Sequence, residues 1–142
     1  MKKLFFVIYL LSLTFAQSQN GKLSPMFYKE KREVFREKMP ENSVAVLFSA
    51  PIRNRANDVD YVFHQDPNFF YLTGWHQPHS VLMIYKNPQV DELGSFHEKI
   101  YILERDEYKE LWNGKRYSVE AVKKLGFERV NTRNHFMNDI SN

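Results

Sequence analysis

The chain has 142 residues, 15% of them aromatic and 26% charged, with a formal net charge of +3 and no cysteine. That length bounds it to one domain of ordinary size. Without cysteine there is no disulfide, thiolate metal site, Cys nucleophile or lipidated Cys, and no Lys/Arg block of the nucleic-acid-binding kind occurs.

Residues 1–16 read as a secretory leader. Lys2 and Lys3 form its positive start, Leu4 to Leu13 its apolar stretch, and Thr14-Phe15-Ala16 a cleavage site before Gln17, with cutting after Ser18 as the alternative. The apolar stretch falls short of the ~20 residues that span a bilayer, so cleavage is expected rather than an uncleaved anchor. Loss of the leader's two lysines lowers the net charge from +3 to +1. The expectation is an exported, disulfide-free protein, periplasmic or secreted, from a bacterium.

Residues 17–26 form a polar, flexible segment. Ser24-Pro25 is a helix start, Ser as cap and Pro in the first helical position, ahead of a charged amphipathic helix over 28–38 with Phe27, Val34, Phe35 and Met39 on its apolar stripe. Pro40-Glu41-Asn42 stops it. The run SVAVLFS, 43–49, is apolar and β-branched, and predicts a buried central strand. Residues 52–59 predict a polar loop at that strand's carboxyl end, where open α/β sheets meet their ligands. Its Arg53, Arg55 and Asp58 suit a carboxylate, or simply pair at the surface.

Residues 60–64 alternate Asp60, Tyr61, Val62, Phe63 and His64, the period of a half-buried strand. Asp66-Pro67 starts one helical turn. Phe69 to Thr73 is apolar on both faces and predicts a strand covered on both sides, closed by a turn at Gly74 and Pro78. SVLMIY, 80–85, predicts a second buried strand. A polar hairpin-like excursion or long loop over 86–98 leads to a returning strand, KIYIL, 99–103. Close connections make these neighbours antiparallel and the sheet mixed.

Residues 105–112 predict a helix whose Tyr108, Leu111 and Trp112 share one face, ended by Asn113-Gly114. Ser118 caps a second helix over 119–125, closed by Gly126. A short strand over 127–132 and a further helix from Asn134 complete the chain.

Two motifs in this order resemble the N-terminal domain of the aminopeptidase P (Xaa-Pro aminopeptidase) family. The first is Asp58, Tyr61, Phe63, His64-Gln65, Asn68-Phe69, Tyr71-Leu72-Thr73-Gly74-Trp75 and Pro78. Its departures are His64 for the commoner Arg, Pro67-Asn68 for Ser-Asp and Trp75 for Phe. The second is Arg105-Asp106, Glu110, Trp112, Gly114, Arg116, Glu120-Ala121 and Gly126. The similarity runs over about residues 27–140. It implies an α/β fold, a mixed β-sheet flanked by helices as in the ribonuclease H-like N-terminal domain of creatinase and aminopeptidase P, truncated before its end and spanning 27–142.

By the same resemblance, the parent would be a metallopeptidase that removes the residue before proline. Its pita-bread catalytic domain, absent from this chain, would hold two divalent ions, usually Mn²⁺. This domain would be non-catalytic, supporting a dimer or tetramer and substrate access. Trp112 and Asp58 would stand at the mouth of a neighbouring subunit's active site, the indole against a proline ring and the carboxylate toward the free α-amino group. Read by periodicity alone, Trp112 is instead core on an amphipathic helix. Prolidase and creatinase share the two-domain plan, so a related hydrolase stays open, as does a non-catalytic peptide-binding module.

The residues themselves offer no rival chemistry. His76-x-x-His79 is interrupted by Pro78 and lacks the three or four ligands of a zinc site. His64, His97 and His135 are isolated. Asp58, Asp60 and Asp66 lack the glycine and distal Glu of a calcium loop. Neither a Gly-rich phosphate loop nor a dinucleotide fingerprint occurs.

Overall fold

The structure, a computed structural model, describes residues 23–141. The predicted leader and most of the polar segment behind it lie outside the described residues. Elements follow in the order α1 (Pro25–Glu37), β1 (Val44–Phe48), β2 (Asn54–Ala56), β3 (Val59–Asp60), α2 (Pro67–Thr73), β4 (Val81–Asp91), β5 (Gly94–Ile102), α3 (Glu107–Asn113), α4 (Val119–Lys123), β6 (Arg129–Thr132), a 3₁₀ turn (Arg133–His135) and α5 (Phe136–Ser141).

Four strands make one sheet in the order β1-β4-β5-β6, with β2 and β3 paired separately. β1, β4 and β5 run antiparallel, and β5 and β6 parallel, so the sheet is mixed. The register aligns Phe48 with Val81, Val81 with Tyr101 and Tyr101 with Asn131. The carboxyl ends of β1, β5 and β6 and the amino end of β4 therefore share one rim. The segments that leave that rim, 49–66 and 103–118, carry the first part of each sequence motif.

Alternation along the strands splits the core in two. Leu82, Ile84, Ile100, Ile102 and Val130 face one side, where Phe69, Leu72 and Trp75 around α2 and Val122 of α4 cover them, with Phe35 of α1 and Met39 just beyond it packed alongside. Val81, Met83 and Tyr101 face the other side and meet Phe136 of α5.

Helix limits follow local chemistry. The Ser24 hydroxyl accepts from Phe27 N at 3.2 Å, with Pro25 as first helical residue, so α1 opens three residues before the expected 28 and the end of the polar segment is helical. Asp66 accepts from Phe69 N at 2.8 Å and opens α2. Gly74, at φ 63°, closes it by donating its N–H to the Phe70 carbonyl.

The structure corrects several expectations. Residues 69–73 are helical, not a strand. The cap and Pro67 launch a helix, and its 3.6-residue period buries Phe69, Leu72 and Thr73 while leaving Phe70 and Tyr71 exposed. Residues 60–64 are not a half-buried strand: only Val59–Asp60 pairs, and Tyr61 is exposed. Residues 52–59 are not a plain loop but hold the β2–β3 hairpin. β1 is an edge strand, half-buried rather than central, because β4 covers only one of its sides. β4 and β5 absorb most of the expected excursion, leaving a turn at 92–93.

One buried polar contact ties the layers together. Arg32 on α1 is 1% exposed. Its Nε and Nη2 donate to both Glu98 carboxylate oxygens, at 2.6 and 2.8 Å, Nη1 to the Leu72 carbonyl at 3.1 Å and Nη2 also to the Gly126 carbonyl at 2.9 Å. The guanidinium lies 4.4 Å over the Phe127 ring. The amphipathic stripe of α1 thus has an ion pair at its centre, satisfied by its geometry.

Candidate functional site

The shared rim is held by Gln65, a buried side chain with all its hydrogen-bonding groups in use. Oε1 accepts from Ala50 N at 2.8 Å and Asp66 N at 2.9 Å, and Nε2 donates to the Trp75 and Gln77 carbonyls at 3.0 and 3.1 Å. One amide thereby joins the end of β1, the start of α2 and the turn beyond it. Ser49 Oγ accepts from Ser80 N, and the Trp75 indole donates to Ser80 Oγ at 2.8 Å. Gln65→Glu keeps the shape but removes both donors, and sets a carboxylate against two carbonyls. It should cost on the order of 2 kcal/mol, read as a lower urea midpoint at pH 7; an unchanged midpoint would show that Gln65 is not the fastener.

Beside Gln65 runs a groove of about 720 Å³, lined by Phe48 and Ser49 at the end of β1, Arg53, and Tyr61 to Pro67. The β2–β3 hairpin rises at its edge. Every residue from Pro51 to Val62 is exposed. Asp58 sits in the two-residue turn of this hairpin, next to Asn57 at φ 50°. Among the described residues no ion pair engages the side chains of Arg53, Arg55 or Asp58, so the surface pairing that the sequence suggested is not formed.

The second motif builds a different part of the rim. Arg105 donates to both Glu110 carboxylate oxygens at 3.0 and 3.2 Å, Asp106 caps α3 by accepting from Lys109 N at 3.1 Å, and Gly114 closes it at φ 81°. Arg116 reaches back to the Glu104 carbonyl at 2.6 Å, and Tyr117 packs edge-on against Trp75 with ring centres 5.1 Å apart. The guanidinium beside Glu110 holds its carboxyl below the usual carboxylate range. These contacts secure both ends of α3, yet among the described residues nothing covers its apolar face. Tyr108 is 72% exposed, Leu111 79% and Trp112 77%. The reading of Trp112 as core is thus overturned: helical period marks a shared face but does not say what lies opposite it.

Between the two halves, the Arg133 guanidinium donates to the His79 carbonyl. Burial first, then the Arg133 and Arg116 charges, hold the His79 imidazole below its ordinary range, so its neutral form is favoured. His76 stacks edge-on with Phe63 and Phe70. Among the described residues no three His, Asp or Glu side chains converge as metal ligands. Their donor set does not fit a two-metal centre. Also among them, no helix is long and apolar enough to cross a membrane.

Asp58 and Trp112 therefore stand on separate segments of one rim, both exposed and in no contact that would bury them. Sequence reasoning missed two residues. Arg32 lay in the charged pattern of α1, and Asn54, whose Nδ2 donates to the Asn57 carbonyl at 2.9 Å, looked like loop. The signal for Gln65 was its place in the first motif.

The family model described as "Aminopeptidase P, N-terminal domain" matches residues 28–142. Among curated relatives, Intermediate cleaving peptidase 55 of Schizosaccharomyces pombe is 35% identical over 111 residues, 75% of this chain and 22% of the relative. The Xaa-Pro aminopeptidase of Haemophilus influenzae is 37% identical over 102 residues, 72% of this chain and 23% of the relative. Among solved structures, Escherichia coli aminopeptidase P in its low-pH form superposes with a TM-score of 0.73 at 28% identity, covering 84% of this chain and 27% of that one. The chain spans less than a quarter of these curated relatives' lengths.

Proposed function

Because the chain belongs to the family of aminopeptidase P N-terminal domains, we propose that it is the non-catalytic N-terminal domain of an exported Xaa-Pro aminopeptidase, contributing to subunit association and substrate access. The observation that carries this reading is the outward face of α3. A helix clamped at both ends by Arg105–Glu110 and Arg116, with an indole 77% exposed, is organised to meet another surface. Trp112 offers a flat apolar wall that suits a proline ring. On the same rim, Asp58 offers an unpaired carboxylate for a peptide's free α-amino group.

The division of labour follows from the donors present. The prolyl nitrogen is a poor leaving group, and the two divalent ions implied by the family, Mn²⁺ by resemblance, would supply hydroxide and polarise the carbonyl. The described residues do not hold them, so they would belong to the pita-bread domain that follows. What this domain supplies is positioning: an aromatic wall, a carboxylate, and an apolar helix face that a second subunit would cover in a dimer or tetramer. Export is supported by the leader pattern over residues 1–16.

The test uses the protein that carries this domain together with its catalytic domain. It should release the residue before proline, and chelation should abolish that release. Trp112→Ala should raise KM for Xaa-Pro peptides about tenfold, with kcat within about twofold, since it removes ground-state binding and touches no reacting atom. Melting of the 142-residue chain should be unchanged, because the side chain is exposed within it. Unchanged KM and unchanged subunit association together would overturn the reading.

A further inference from the structure

We infer that Asn54 is a positioning residue, whose carboxamide holds the turn that presents Asp58; this rests on the role proposed above for Asp58. The hairpin poses a physical problem. Every residue from Pro51 to Val62 is exposed, so β2 and β3 bury no apolar face, and a lone two-stranded hairpin is marginal in water. Its ladder is also irregular: Asn54 pairs with Asp60 and Ala56 with Val59, with a register shift between them. Its base is closed by Tyr61 N donating to the Arg53 carbonyl at 2.9 Å.

Asn54 closes the rest. Its Nδ2 donates to the Asn57 carbonyl at 2.9 Å, to Asp60 Oδ1 at 3.3 Å and to the Val59 carbonyl at 3.4 Å. One side-chain amide thus spans the turn from inside, where the shifted ladder leaves backbone acceptors. Asn57 stands at φ 50°, a left-handed conformation that asparagine takes more readily than most residues but less freely than glycine, so the turn gains from such support. The Asp58 carboxylate, by contrast, has no ion-pair partner among the described residues. Its direction is set by the turn and nothing else. Loss of the Asn54 amide should let the turn sample other shapes and make the carboxylate pay the entropy of ordering on binding. Substrate affinity should fall while the chemical step and the folded core stay as they are.

The measurement is steady-state kinetics on the protein carrying both domains, with an Xaa-Pro peptide. Asn54→Ala should raise KM roughly three- to tenfold, with kcat within about twofold. Asp58→Asn should do the same, and the two together no more than either alone. Adding Asn57→Gly to Asn54→Ala should restore most of the lost affinity, because glycine takes the left-handed turn freely. Melting of the 142-residue chain should not move with any of them. If Asp58→Asn raises KM and Asn54→Ala does not, Asn54 is no positioning residue while the role of Asp58 stands. If neither raises KM, that role fails and takes the inference with it. If Asn54→Ala lowers the melting temperature, or Asn57→Gly gives no rescue, Asn54 acts as an ordinary structural residue and the inference is overturned.

Discussion

Arg32→Ala should cost the domain about 3–5 kcal/mol, because it strands the Glu98 carboxylate in the core. Both side chains are almost wholly enclosed, at 1% and 8% exposure. The attraction of the pair does not by itself set this figure, since removing two charges from water offsets much of it. The cost arises when one partner goes: Glu98 is left buried without both guanidinium donors, and the Leu72 and Gly126 carbonyls lose theirs. Against a typical total stability of ~5–15 kcal/mol, that loss leaves the fold marginal. Urea denaturation measures it. The Arg32→Met, Glu98→Leu double variant should recover much of the loss, because it leaves no buried charge and roughly fills the volume. A single Arg32→Met variant as stable as the parent would refute the account.

Gly74→Ala should be the second severe change, at about 2–4 kcal/mol, from two separable causes. At φ 63° a side chain costs ~1–2 kcal/mol from contact with its own backbone. A methyl at this position would also stand 2.4 Å from the Tyr28 ring, far inside contact distance, so α1 and α2 would have to part. Tyr28→Ala added to Gly74→Ala should return the second portion and not the first. A double-mutant cycle on urea midpoints separates them, and coupling near zero would mean that the Tyr28 ring simply turns aside. The same measurement explains the motif's glycine: it ends α2 and lets the Tyr28 ring lie on that end.

The motif residues divide by what they touch. Gln65, Gly74, Arg105, Glu110 and Arg116 are fasteners, each spending its polar groups or its missing Cβ on holding a segment at the rim. Asp58 and Trp112 are not. Both residues are exposed, and nothing in the packing of the described residues requires an indole or a carboxylate there. The role proposed for them rests on that exposure.

Much of the fold was legible from short-range chemistry. Ser24, Asp66, Asp106 and Ser118 each cap the helix that follows, and Gly74 and Gly114 each take a positive φ at a helix end, whereas α4 stops at Lys123 with Lys124 as its cap and Gly126 turns three residues later. Such features depend on groups three or four residues apart, so a window of sequence contains both partners. The apolar runs at 80–85 and 99–103 likewise became the interior strands, and their close connection made them antiparallel.

What no window contains is the identity of the surface opposite each face. Phe69 to Thr73 is apolar enough for either a strand or a helix; the Asp66 cap and Pro67 start a helix, and burial of Phe69, Leu72 and Thr73 on one side fixes which face turns inward. SVAVLFS became an edge because no further strand pairs with it among the described residues. Arg32 reads as one more surface charge until its partners close around it from 40, 66 and 94 positions away. The face of α3 reads as core until the folded chain leaves it bare. Caps, turns and apolar runs are written between near neighbours, where energies of single hydrogen bonds and dihedral angles decide. Burial is a property of the whole packed chain, and it alone assigned Arg32 to the interior and Trp112 to the surface.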